Sequence, residues 1–211
     1  VHPHVQTKMH GHYETLLNNL RDEWKDDIEN NIDRFFRENK NDFLKAYKNL
    51  KKGVTNFEGK IEDFEVLFKR YVPLIISRLA ITQVNKESSQ IPWQLEYNVI
   101  VGGYMLDRGY VVRGLLITYM PRSKGGGQID SLQQRGRFYG YKRKHIGFIK
   151  SWMEEPTIEA YKGYAKHEIH LYKKLKELSL EGKELREWER ILLLDKGLKP
   201  CRKNVISKNL K

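Results

Sequence analysis

The chain has 211 residues, of which 39% are hydrophobic and 31% charged, and it carries a formal net charge of +12. That length allows one substantial domain, or a domain with an extension, and the apolar content suffices for a packed core. A single cysteine, Cys201, excludes an intrachain disulfide and a cysteine zinc cluster, and no apolar run approaches the roughly 18 residues of a membrane span.

In chain order, Tyr13, Leu16, Leu17, Leu20, Trp24 and Ile28 fall at helical spacing, so an amphipathic helix is expected from about His10. After a break the period continues through Ile32, Phe35, Phe36, Phe43, Tyr47 and Leu50, and Gly53 is a natural stop. Another helix is expected from Ile61 to about Arg70, with Pro73 interrupting it. The pattern then changes. LAITQV (Leu79–Val84), NVIVGG (Asn98–Gly103) and LLITYM (Leu115–Met120) are short and almost continuously apolar. Strands of a parallel sheet buried on both faces look like this. Asp130 is placed to cap a helix through Leu132 and Gln133, and Ile146–Trp152 reads as one last strand. From Ile158 the helical period returns through Tyr161, Tyr164, Ala165, Tyr172, Leu175 and Leu178, then Leu185 to Leu194. Strands in the middle with helices on either side point to an α/β layer fold, whose chemistry belongs in the loops after strand C-termini.

The positive charge is uneven. Arg122 to Lys150 holds eight basic residues against one acid, Asp130, and Lys196 to Lys211 holds six against none. Clustering of this kind suits a polyanion, although a solvated basic tail would also account for the C-terminus. No secretion signal is visible, so a reducing, cytoplasmic setting is expected. The chain opens on Val1 rather than Met and as if in mid-strand, which reads as a piece of a longer protein.

Two stretches carry chemistry. VGGYMLDRG (Val101–Gly109) follows a strand, and glycines there let backbone amides approach a phosphate or another backbone. By itself it could equally be a turn with an ion pair. SLQQRGRFYGYK (Ser131–Lys142) places Gln133, Gln134 and Arg137 around Gly136. A guanidinium is permanently charged, planar and forked, which matches phosphate. Phe138, Tyr139 and Tyr141 argue against a plain solvated helix.

Taken together, strand, GG-x-x-x-D-R-G, strand and Q-Q-R-G-R resemble the second RecA-like lobe of superfamily-two helicases and translocases, with motif V an RG turn and motif VI a QxxGR. More narrowly the sequence resembles the Z-one (Z1) domain family, helicase-like proteins associated with endonucleases. The family's GG-x-x-L-S-R-G-x-T-x-x-G-L appears as GGYMLDRGYVVRGL (Gly102–Leu115), and its Q-M-G-R-W-F-G-Y-R as QRGRFYGYK (Gln134–Lys142). The opening His2–His4 with the helix from His10 is similar to the motif IV region. Three positions depart from the pattern: Asp107 stands at the serine, Val111 at the threonine, and Lys142 at the last arginine. The ordinary helicase spacing selects Gln133 and the Z1 pattern Gln134. The usual second arginine falls on Gly140, which leaves Lys142 or Arg143 to replace it.

The resemblance implies a RecA-like C-terminal helicase lobe with a parallel sheet, formed by 1–29 and 72–153. A helical insertion would occupy 30–71, and a helical extension with a basic tail 154–211. It further implies a nucleic-acid-dependent ATPase in which Arg137 is the finger reaching the transferring phosphoryl group, with Gln134 or Gln133 beside it. Gly103, Asp107, Arg108, Gly109 and Lys142 would contact nucleotide, and Arg113, Arg122, Lys124 and Arg143 nucleic acid, expected to be DNA. The chain has no GxxxxGK[ST] loop and no acidic box, so ATP and magnesium would be held mainly by an upstream lobe, and the chain alone should not hydrolyse ATP. A restriction or defence-type protein is the expected setting.

Three other readings stay open. Glu58, Lys60 and Asp63 are the nearest approach to a nuclease carboxylate–lysine set. His2, His4, His10 and His12, or His167 and His170, could bind zinc. The helical flanks and basic faces could also form a binding module without catalysis.

Overall fold

The computed structural model describes residues 1, 3, 7–85, 90–103, 105, 106, 112, 114–121, 134, 136 and 143–184. They fall in two compact units, one within 1–121 and 137–152, the other within 122–136 and 153–211.

The first unit opens with α1, Thr7–Asn56, which leaves helical geometry at Asn31 (φ −158°, ψ 83°). Asn31 Oδ1 accepts a hydrogen bond from the Arg34 N–H at 2.9 Å, three residues on, as an N-cap does. α1 is thus two arms joined at a cap, in the place where the apolar period breaks. The arms fold together: the rings of Trp24 and Phe43 are 5.6 Å apart between centroids. On a straight helix those residues would stand roughly 28 Å apart.

The sequence expectation that Gly53 ends this helix is corrected. α1 runs to Asn56 and closes with Gly59 N–H on the Val54 carbonyl (2.9 Å) and Glu58 N–H on the Thr55 carbonyl (3.0 Å). Gly53 instead permits a crossing. A Cβ at Gly53 would lie 2.7 Å from the Gly147 carbonyl, and one at Gly147 would lie 2.8 Å from the Val54 Cα.

Pro73 does not interrupt the next helix either. α2 (Phe64–Val66), a π-helical turn (Leu67–Tyr71) and α3 (Val72–Arg78) follow without a gap. Proline lacks an N–H and its ring crowds the carbonyl four residues back. The widened π turn immediately before it relieves that conflict. The helix begins at Phe64 rather than Ile61. Phe68 is buried against Phe36, Phe43 and Phe64, with centroids 4.9–5.2 Å apart, and one core joins Trp24 and Ile28 to Phe35, Phe68 and Ile76.

β1 (Ala80–Val84) and β2 (Asn98–Gly102) pair in parallel, from Ala80 opposite Asn98 to Val84 opposite Gly102. α1 occupies the outer edge of β1: Glu14 Oε1 accepts from the Gln83 N–H (3.1 Å), and Arg21 donates to the Leu79 carbonyl (3.3 Å). Side chains thereby satisfy backbone groups that another strand would otherwise take.

β3 (Ile117–Met120) and β4 (Lys150–Met153) form a second sheet. Two sequence expectations change here. LLITYM is not buried on both faces: Thr118 and Met120 are inside, while Ile117 and Tyr119 alternate outward. The stretch Ile146–Trp152 is not one strand. Arg143–Phe148 is a 3₁₀ helix, which brings Gly147 against Gly53, and the strand begins at Lys150. Mixed helix with small sheets, one of them parallel, is an α/β arrangement, but each sheet among the described residues has two strands.

In the second unit α4 spans Glu155–Leu180, starting earlier than Ile158 because Glu154 is an extended N-cap and Pro156 occupies the first turn. Thr157, Ala160, Tyr161 and Tyr164 form its buried face. Tyr172 and Leu175, read from the sequence as a continuation of that stripe, are exposed. Among the described residues no helix is long and apolar enough to cross a membrane.

Candidate functional site

In a parallel sheet the strands' C-terminal ends converge on one rim, and the glycine stretch lies on that rim. β2 ends at Gly102, with Val84 of β1 and Val101 fully buried beside it. On the other side of β2, the Val1 amine donates to the Ile100 carbonyl (2.7 Å), and the Gly102 N–H donates to the Val1 carbonyl (3.0 Å). Those two bonds are the pair a parallel neighbour makes. Residue 1 therefore flanks β2 as β1 does.

This geometry explains Gly102. A Cβ there would lie 2.8 Å from the Val84 carbonyl and 2.9 Å from Leu106 Cγ. The missing side chain admits a neighbouring backbone, one of the two uses the sequence allowed. The Gly102 N–H is engaged by Val1. Gly103 is buried in a bend, and its carbonyl accepts from the Leu106 N–H at 3.0 Å. Leu106 folds back into a small core with Val84 and Ile91, so the first turn of the loop is anchored from below.

Of the remaining candidates, Gln134 is helical and exposed, and Gly136, two residues on, is buried. Arg143 opens the 3₁₀ helix. Gly103 and Arg143 belong to the first unit and Gln134 to the second. Arg137, Gln133, Asp107, Arg108, Gly109, Lys142, Arg113, Arg122 and Lys124 lie outside the described residues, as do Asp130, His2 and His4.

Donor chemistry can still be weighed. The motifs supply amides and guanidinium groups, which suit a triphosphate's oxygens. Asp107 is the one carboxylate between Val99 and Gln128, too little for a magnesium site without outside ligands. Among the described residues no group of three or more His, Cys, Asp and Glu could hold a metal ion. Glu58, Lys60 and Asp63 are exposed. Glu58 lies in the turn that closes α1, and Asp63 precedes α2, so no strand presents them.

One feature is not foreshadowed by any sequence motif. Between the second arm of α1, the Phe64–Val72 stretch and the β3–β4 sheet lies an open cavity of about 450 Å³. Its walls come from elements far apart in the chain, and no local motif marks it.

A parallel strand pair with a glycine-anchored loop at its C-terminal rim is an α/β arrangement. The chain belongs to the Z1 domain family, whose model matches residues 1–192. No curated protein and no solved structure matches it significantly.

Proposed function

We propose that the chain is the second motor lobe of a nucleic-acid-dependent ATPase of helicase or translocase type. The observation that carries this reading is the glycine pair at the C-terminal end of a strand flanked in parallel on both sides. Membership of the Z1 family supports it, as does the order of the two motifs along the sequence.

In this reading ATP and magnesium are held mainly by an upstream RecA-like lobe of the same protein. Arg137 reaches the transferring phosphoryl group, and Gln134 or Gln133 orients the γ-phosphate or the attacking water. Gly103, Asp107, Arg108, Gly109 and Lys142 respond to nucleotide, while Arg113, Arg122, Lys124 and Arg143 hold a nucleic-acid backbone, DNA by preference. The catalytic contribution is positioning and charge stabilisation, so losing the finger should cost on the order of 10³-fold or more in rate.

The test is DNA-stimulated ATP hydrolysis by the whole protein carrying Arg137→Ala. A fall of that size with DNA binding retained supports the assignment. Unchanged turnover removes it and leaves a binding module. Salt separates the binding modes, because phosphate contacts weaken steeply as salt rises.

A further inference from the structure

The cavity beside α1 has the size of a small-molecule site, and its composition is specific. Phe43, Tyr47, Phe64, Phe148 and Trp152 give it aromatic walls, and among the described residues Lys150 is the only charged one on its lining. Protein interiors seldom leave apolar space of this extent unfilled. Here Trp152 is 50% exposed and Ile117 59% exposed, so apolar surface faces water at the cavity itself.

The polar groups are biased toward donation. Lys150 Nζ donates to the Asn49 carbonyl at 3.0 Å, and an ammonium has two further N–H groups to offer. The Tyr47 hydroxyl donates its hydrogen to the Glu62 carbonyl at 3.1 Å. The Trp152 indole can only donate. Among the described residues no carboxylate lines the space, so an amine would find no counter-charge there. A flat apolar body with a single anionic head matches both parts.

We propose that this cavity binds a small aromatic carboxylate, its ring among the aromatic walls and its carboxylate on Lys150. None of its described lining residues belongs to the motor motifs, and the proposal does not rest on the ATPase reading.

The test is calorimetric titration of the full chain with naphthalene-2-carboxylate and, in parallel, its neutral carboxamide. Saturable one-site binding of the carboxylate is expected. Lys150→Met should weaken it about tenfold or more while moving the carboxamide far less, and Lys150→Arg should restore most of the loss. Ala46→Trp fills the cavity from an exposed position on α1, so it should abolish binding of both with the fold intact by thermal melting. Absence of saturable binding, Ala46→Trp binding as tightly as the parent chain, or equal losses for carboxylate and carboxamide in Lys150→Met would each overturn the proposal.

Discussion

Among the described residues of the first unit, two cores reach burial by different routes. Around Phe68 the packing is helix on helix, and the contributors recur at helical spacing along α1 and the stretch after it. Around Val84 the packing is strand on loop: Ile91, Met105 and Leu106 come from connections, and they close over a pair of five-residue strands. The aromatic core depends on large rings filling space. The sheet core depends on side chains being absent where backbones meet. Each should therefore be most sensitive to the opposite kind of substitution.

The largest effect is expected from removing a ring. Phe68 is 2% exposed and packs on Phe35, Phe36, Phe43 and Phe64. Phe68→Ala should lower the unfolding free energy by about 3–5 kcal/mol in urea titration. A loss under about 1 kcal/mol would mean that the helical core is not the main support of this unit.

Next comes the reverse experiment, adding one methyl group. Gly102→Ala would press on the Val84 carbonyl, and Gly147→Ala on the Val54 backbone. Neither obstacle is the end of a flexible side chain, so each should cost about 1–3 kcal/mol. Gly102→Ala should in addition speed hydrogen exchange at Leu106, whose N–H rests on the Gly103 carbonyl. If both alanine variants were as stable as the parent chain, the close approaches would be wrong and the contrast between the cores would disappear.

How much of this was legible follows from how local each cause is. The break before Ile32 could be read because the apolar period itself fails there, and Asn31 supplies the cap. The parallel pair could be read because its strands are apolar in succession. Gly53 could not be read correctly. A glycine looks the same in sequence whether it ends a helix or admits Gly147 from far along the chain. The π turn was hidden for a related reason: Pro73 announces a conflict but not how the backbone resolves it. At the candidate site, sequence identified glycines that need close approach. Which backbone comes close at Gly102, that of Val84, is a tertiary fact.

The smallest effect concerns the two helix ends, which share a closing motif but differ in the residue that turns it. α4 ends with Gly182 at φ 66°, with Lys183 N–H on the Leu178 carbonyl (3.0 Å). α1 ends in the same pattern but with Glu58 at φ 57°, a left-handed conformation that costs a residue with a Cβ about 1 kcal/mol. Glu58→Gly should therefore stabilise the chain by about 0.5–1 kcal/mol, less than the full strain because glycine also frees the unfolded state. Gly182→Ala should destabilise by a similar amount. A gain at Glu58 would show that backbone geometry does not account for a glutamate there. If metal-dependent DNA nicking were lost in the same variant, the chain would be tolerating a strained backbone to keep that carboxylate; unchanged nicking would remove Glu58 from the nuclease reading.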